Sequence, residues 1–163
     1  MSQPSILISN DDGIYAPGIY ALWEAMSEIG QTTVVAPNTE KSAVGHAITI
    51  SDPIRIEEVT RSNGFKGYAV NGTPADSVKI AVKSIMKVKP DIIISGINAG
   101  ANVGRSLLYS GTISAATEGT FLGIPSIAIS LDSLRDMDFS TSKIVAKKIV
   151  NKVINHGLPN DTL

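Results

Sequence analysis

The sequence contains no cysteine. Disulfide frameworks, thiolate nucleophiles and cysteine-ligated zinc are therefore excluded. Histidine is nearly as scarce, with His46 and His156 the only two, so a histidine-rich metal site is excluded too. Neither sign of charge predominates: 14 Lys and Arg face 15 Asp and Glu, a formal net charge of −1. The basic excess that marks a nucleic-acid or membrane-surface binder is missing, so no DNA or membrane partner is expected. Long apolar runs are missing as well. No stretch approaches the roughly 20 apolar residues of a membrane span. The N-terminus has neither the basic region nor the apolar core of a signal peptide. The expectation is a soluble cytoplasmic protein.

What is present suits one domain: 163 residues, 43% of them hydrophobic, enough for a substantial core. No internal repeat or low-complexity tract interrupts the chain. Short apolar runs alternate with helical periods. Ile6 to Ser9 reads as a strand. From Pro17 to Gly30, the apolar positions Ile19, Leu22, Trp23, Met26 and Ile29 recur at helical spacing, with Pro17 suited to the first turn. Thr32 to Ala36 is β-branched and reads as a second strand. Pro37 opens a polar loop to Gly45.

Ala47 to Val59 reads as two strands broken at Asp52-Pro53, with Ile54, Ile56 and Glu58 on one face of an edge strand. Gly67 to Val70 is a further short strand. In NGTPADSV, Thr73 can cap a helix, Pro74 occupies its first position and Asp76 can reach back. That helix runs on through Val78, Ala81, Val82 and Ile85. Asp91 to Ser95 is apolar on both faces, as a covered strand should be. A glycine-rich loop follows from Gly96 to Gly111, then a small-residue helix from Ile113 to Leu122. The last strand lies in IPSIAIS and the last helix spans Ser140 to Asn155, with Gly157 as its cap. This alternation predicts a three-layer, Rossmann-like α/β fold, a mostly parallel sheet with helices on both faces.

Ligands of such folds bind beyond the carboxyl ends of the strands. The loops there carry Asn10-Asp11-Asp12-Gly13, Asn38 to Ser42, Ser95 to Asn98, and Ser130 to Asp132. Adjacent carboxylates repel. Asp11 and Asp12 therefore have two readings. One is an acidic Asx-turn feeding the Pro17 helix. The other is a hard divalent cation, Mg²⁺ or Mn²⁺, which takes oxygen ligands. Ser42 and Asn98 can supply neutral oxygens to the same shell, although each taken singly also suits an ordinary loop.

The stretch GINAGANVGRSLLYSGTISAATEG lets backbone approach a ligand closely. Ser110, Gly111 and Thr112 precede a helix whose N-terminus favours a phosphate, and Ser114 can add a hydroxyl. Asn102 in the same stretch is a further phosphate-binding candidate. The stretch matches neither a P-loop nor a dinucleotide fingerprint. His46 suits either assistance to a leaving group or phosphate, or a hydrogen-bonded loop histidine, and His156 suits a helix C-terminal cap. Lys41 and Arg105 lie in the two candidate loops and can contact phosphate, although each also suits solvated surface charge.

The ordered motifs NDDG, PGI, VVAP, KSAVGHAIT, NGTPADSV, SGINAGANVG, YSGTISAATEG and GIPSIAIS together resemble the SurE family of stationary-phase survival proteins. The resemblance implies a metal-dependent nucleotide phosphatase. It implies that Asp11, Asp12, Ser42 and Asn98 are metal ligands and that Ser110, Gly111 and Thr112 lie in the phosphate-binding region. The implied substrates are nucleoside monophosphates, 5′ and 3′, and short polyphosphate. One divalent cation per subunit and a homodimer or homotetramer are implied for the complete protein. Family members continue past the last residue here into a hairpin, a terminal helix and subunit contacts. The expectation is that residues 1–163 are the N-terminal part of a longer family domain.

In the leading mechanism Asp12 orients or deprotonates the attacking water. An aspartyl-phosphate mechanism is the second reading, and Asn10 counts against it because it stands where an attacking Asp would be needed. The third is a nucleotide-binding regulatory module without turnover.

Overall fold

A computed structural model describes residues 3–135 and 137–163. Its strands are β1 (Ser5–Ser9), β2 (Gln31–Pro37), β3 (Ile56–Thr60), β4 (Lys66–Val70), β5 (Ile92–Ala99) and β6 (Ser126–Leu131). Its helices are α1 (Pro17–Ser27), α2 (Pro74–Ile80), α3 (Gly111–Phe121) and α4 (Ser140–His156). The strands form one sheet in the order β3-β4-β2-β1-β5-β6. All neighbours are parallel except β3 and β4, which pair antiparallel at one edge. The expected three-layer α/β architecture is what the chain forms.

Strand alternation sorts the core into two halves. Ile6, Ile8, Ile92 and Ile94 pack with Ile19, Leu22 and Ala146 beneath α1 and α4. Leu7, Val35 and Ile93 face the other way and pack with Val78 and Ala115 beneath α2 and α3. Each fully buried aliphatic side chain of this kind stabilises the fold by about 1.5–3 kcal/mol. Close approach demands glycine at two points. A Cβ on Gly18 would lie 1.9 Å from the Ile97 carbonyl oxygen, so α1 sits directly on β5. A Cβ on Gly119 would lie 2.2 Å from Ser126 Oγ, so α3 sits directly on β6.

The structure corrects several local expectations. No strand forms between Ala47 and Ile50; this segment instead docks on the start of α2, where Thr49 N–H and Oγ1 donate to Asp76. β3 is an edge strand as expected, with Ile56 and Glu58 facing solvent and Val59 buried. The helix after Thr73 does run to Ile85, but its last turn, Ala81–Ile85, widens to a π-turn. Gly96 to Asn98 are not loop. β5 continues through them, with an irregularity in register between Ser95 and Asn98, and Asn98 pairs with Ser130. Glycine allows it: φ at Gly96 is 138°, and a Cβ there would lie 2.3 Å from the Ile129 carbonyl oxygen. α3 begins at Gly111, two residues before the expected start.

The central strand β1 is the pivot. The chain winds outward from it through β2 and returns on its other side as β5. A crevice therefore opens at the carboxyl ends of β1 and β5, the switch point at which such folds bind ligands.

Candidate active site

Asn10 is fully buried just past β1. Its amide donates to the Gly13 carbonyl at 3.0 Å and its Oδ1 accepts from Gly13 N–H at 3.2 Å. Gly13 itself has φ of 96°, a conformation that suits glycine. This locked turn fixes the two carboxylates between its ends. The stretch does form a side-chain-locked turn with Asn10 as its keystone, but Asp11 is buried rather than exposed as a plain acidic turn would have it. Asn10, read from sequence as part of the oxygen-rich loop and as a misfit for an attacking Asp, is a structural lock instead.

The turn is tied to three other segments. Asp11 C=O accepts from Lys41 N–H at 2.7 Å, which joins it to the loop after β2. Asp12 Oδ2 accepts from Ala99 N–H at 3.3 Å, which joins it to the end of β5 beside Asn98. Asp11 Oδ1 accepts from the Thr112 hydroxyl at 2.5 Å, which joins it to the first turn of α3. The segments that carry Asp11 and Asp12, Ser42, Asn98 and Thr112 therefore meet at the carboxyl end of the sheet.

Individual side chains are set by their local bonds. The Ser42 hydroxyl is exposed and donates to Glu40 Oε1 at 2.6 Å, which leaves its lone pairs available as acceptors. The Asn98 amide donates to the carbonyls of Ala99 and Gly100, so its Oδ1 is the unspent end of the group. Ser110 caps α3, its Oγ accepting from Ile113 N–H at 3.2 Å. Ser114 donates to the Ser110 carbonyl and is spent inside the helix. Asn102 donates to Ser130 Oγ at 2.9 Å. Arg105 is exposed in a single 3₁₀ turn, Gly104–Leu108, and Lys41 contributes its backbone N–H to the turn.

The two histidines divide as expected. His156 Nδ1 lies 3.0 Å from the Lys152 carbonyl at the end of α4. His46 Nε2 lies 2.9 Å from Glu118 Oε2.

Burial pushes the Asp11 carboxyl above its ordinary value. The Thr112 hydroxyl and the backbone N–H groups of Thr112 and Gly111 pull it back down without cancelling that rise. Burial also raises Asp12, and the neighbouring charges of Asp11 and Glu40 add to the rise, while Ala99 N–H opposes it. Burial and the repulsion between neighbouring acids thus disfavour ionising the pair together. Among the described residues, no three acidic or histidine side chains converge to hold a metal by themselves. A cation here would depend on two carboxylates completed by neutral oxygens. Asp11, Asp12, Ser42 Oγ and Asn98 Oδ1 make an all-oxygen set of the kind that suits Mg²⁺ or Mn²⁺. Beside Asn98 a cleft of about 630 Å³ opens, lined in part by Gly100, Asp132 and Arg135. No helix among the described residues is long and apolar enough to cross a membrane.

A family model described as "Survival protein SurE" matches residues 6–163. The chain is 53% identical over 154 residues to a protein of Syntrophobacter fumaroxidans named 5′-nucleotidase SurE, an alignment covering 94% of this chain and 62% of that one. A protein of the same name from Chlorobium luteolum is 48% identical over 161 residues, covering 99% of this chain and 62% of its own length. The crystal structure of the SurE protein from Aquifex aeolicus superposes with a TM-score of 0.89 at 43% identity, over 98% of this chain and 63% of that one. The chain spans about three fifths of the length of these relatives.

Proposed function

The chain belongs to the SurE family, and on that premise we propose that the protein is a phosphomonoesterase that hydrolyses nucleoside 5′-monophosphates to nucleoside and phosphate. We extend the proposal to nucleoside 3′-monophosphates and short polyphosphate as further substrates, and to a homodimer or homotetramer in the cytoplasm. The observation that carries it is the bond from Thr112 to Asp11, which seats an acidic pair against the N-terminus of α3 at the sheet's switch point. The 5′-nucleotidase names of the relatives agree with phosphate chemistry there.

Asp11, Asp12, Ser42 and Asn98 would hold one Mg²⁺ or Mn²⁺ ion. When bound, such an ion supplies Lewis acidity to a phosphoryl group and acidifies water beside it. The chain's own groups do the rest. Thr112 and the first N–H groups of α3 favour the ionised form of Asp11, and burial works against them. Asp12, less buried than Asp11 and anchored by Ala99 N–H, orients the attacking water and accepts its proton. The Ser110 hydroxyl and the dipole of α3 hold phosphate oxygens, with Asn102 at the rim. The cleft beside Asn98 gives the leaving nucleoside room.

The test is phosphate release from a nucleoside 5′-monophosphate by the purified protein with Mn²⁺, repeated in EDTA. Release that stops in EDTA and returns with metal supports the reading; release undiminished by chelator removes the metal from it.

A further inference from the structure

Glu118 is a buried carboxylate that the proposed reaction does not use. It lies on α3 among small residues, 6% exposed, and a buried charge of this kind is costly unless partnered. Its partners come from two other segments. Lys79 of α2 brings Nζ to 3.7 Å from Oε1. His46, in the segment after β2, brings Nε2 to 2.9 Å from Oε2. The His46 ring also stacks on Phe121, with centroids 5.4 Å apart and planes 10° from parallel. Glu118 is about two helical turns, roughly 10 Å, beyond the N-terminus of α3. That distance separates the His46–Glu118 contact from the proposed phosphate.

Ser42 is the exposed member of the proposed ligand set, and no core contact fixes it; its one side-chain bond is to Glu40 in its own loop. Its place is set by what holds the chain on either side. On one side Lys41 N–H is bonded to the Asp11 carbonyl at 2.7 Å. On the other, Gly45 N–H is bonded to the Tyr109 carbonyl at 3.0 Å and His46 is bonded to Glu118. Between them Ala43 is held at φ of 57°, a region non-glycine residues seldom occupy. A residue persists there only when its surroundings hold it.

We infer that His46 is a positioning residue: its bond to Glu118 pins the segment carrying Ser42 against α3, and so presents the Ser42 hydroxyl beside Asp11 and Asp12. The effect on cation affinity rests on the metal reading above; the pinning itself does not.

The experiment is amide hydrogen exchange by NMR on the chain, with a Mn²⁺ titration in parallel, for His46→Ala and His46→Gln. In His46→Ala the Lys41 and Gly45 amides exchange at least about tenfold faster, the scale of losing one charge-assisted hydrogen bond. The Ile93 amide, bonded to the Pro125 carbonyl in the core, keeps its rate. Mn²⁺ affinity falls several-fold, and His46→Gln, which restores an N–H donor, recovers both readouts. His46→Leu keeps the packing on Phe121 without the donor and makes the same cut should the alanine variant fail to fold. Unchanged exchange at Lys41 and Gly45 overturns the pinning. Faster exchange with unchanged Mn²⁺ affinity overturns the positioning of Ser42. If the unaltered chain binds no Mn²⁺, the metal reading fails and with it the positioning of Ser42 as a ligand, while the exchange rates still decide the pinning.

Discussion

Thr112 donates its hydroxyl to Asp11 across 101 positions of sequence. This bond joins the loop after the first strand to the first turn of α3. It also spends the Thr112 proton on a carboxylate, so a phosphate at this helix end would compete for a donor already engaged. The neighbouring residue makes the contact possible. A Cβ on Gly111 would lie 2.6 Å from Asp11 Cβ. Gly111→Ala therefore forces Asp11 away from Thr112. It is expected to cost about 1–3 kcal/mol by overpacking, read by urea denaturation, and to lower Mn²⁺ affinity. An alanine variant with unchanged stability and affinity would show that the approach is looser than the geometry states.

The acidic pair gives stability a pH dependence of defined sign. Both carboxyls are raised above 3.8, first by burial. A raised acid is favoured in its protonated form by the fold, so ionising it opposes folding. The penalty is absent below the unfolded value, grows as pH rises from there to the folded value, and is complete above it. In EDTA the pair should therefore contribute less to stability at pH 7 than at pH 4. Mn²⁺ should raise the melting temperature more at pH 7 than at pH 5, because the ionised pair binds it. An equal metal-induced rise at both pH values would contradict this.

Asp76 links the loop after β2 to α2. It accepts from Thr73 N–H at 2.9 Å, completing a capping box, and from Thr49 N–H and Oγ1. Asp76→Ala leaves all three donors without this partner. The expected loss is about 3 kcal/mol, a cap plus hydrogen bonds to a charge, measured by denaturation. Asp76→Asn keeps one acceptor oxygen and should lose less.

The capping box was legible before the fold because Thr73, Pro74 and Asp76 act on each other within one turn. The strands β1, β2, β5 and β6 were legible for a similar reason: covered strands are apolar on both faces. What escaped depends on contacts between distant segments. Asp76 captures Thr49, so Ala47 to Ile50 docks rather than pairing as a strand. Register with β6 draws Asn98 into β5 although its flanking glycines read as loop. Val59 is buried because it points to the opposite face from Ile56 and Glu58 and joins the core there, a choice of face that local sequence does not fix. The hairpin that joins β3 to β4 did have a local signal, the Asn63-Gly64 turn, with Gly64 at φ of 87°. For the candidate site, Asp11, Asp12, Ser42 and Asn98 were readable as loop oxygens at strand ends. The roles of Asn10, Gly111 and Ala99 were not, since each acts through geometry that only the folded chain supplies.

Within the pair, the two carboxylates should separate by function. Asp12→Asn keeps an oxygen ligand and removes the base. Turnover by the purified protein is expected to fall by about 10²–10⁴-fold, the usual worth of a general base, with Mn²⁺ still bound. Asp11→Asn should weaken Mn²⁺ binding itself. An Asp12→Asn protein with full turnover and bound metal would reject the water-orienting role.

The central claim is that one cation touches the end of β5 and the segments that follow β1 and β2. Paramagnetic broadening of backbone amides by substoichiometric Mn²⁺ tests it most directly. The expected result is selective loss of the signals of residues 10–13, 41–43 and 97–99, together with 110–112, while the β3–β4 hairpin stays sharp. Broadening confined to surface acids such as Glu57 and Glu58, with residues 10–13 unaffected, would contradict it.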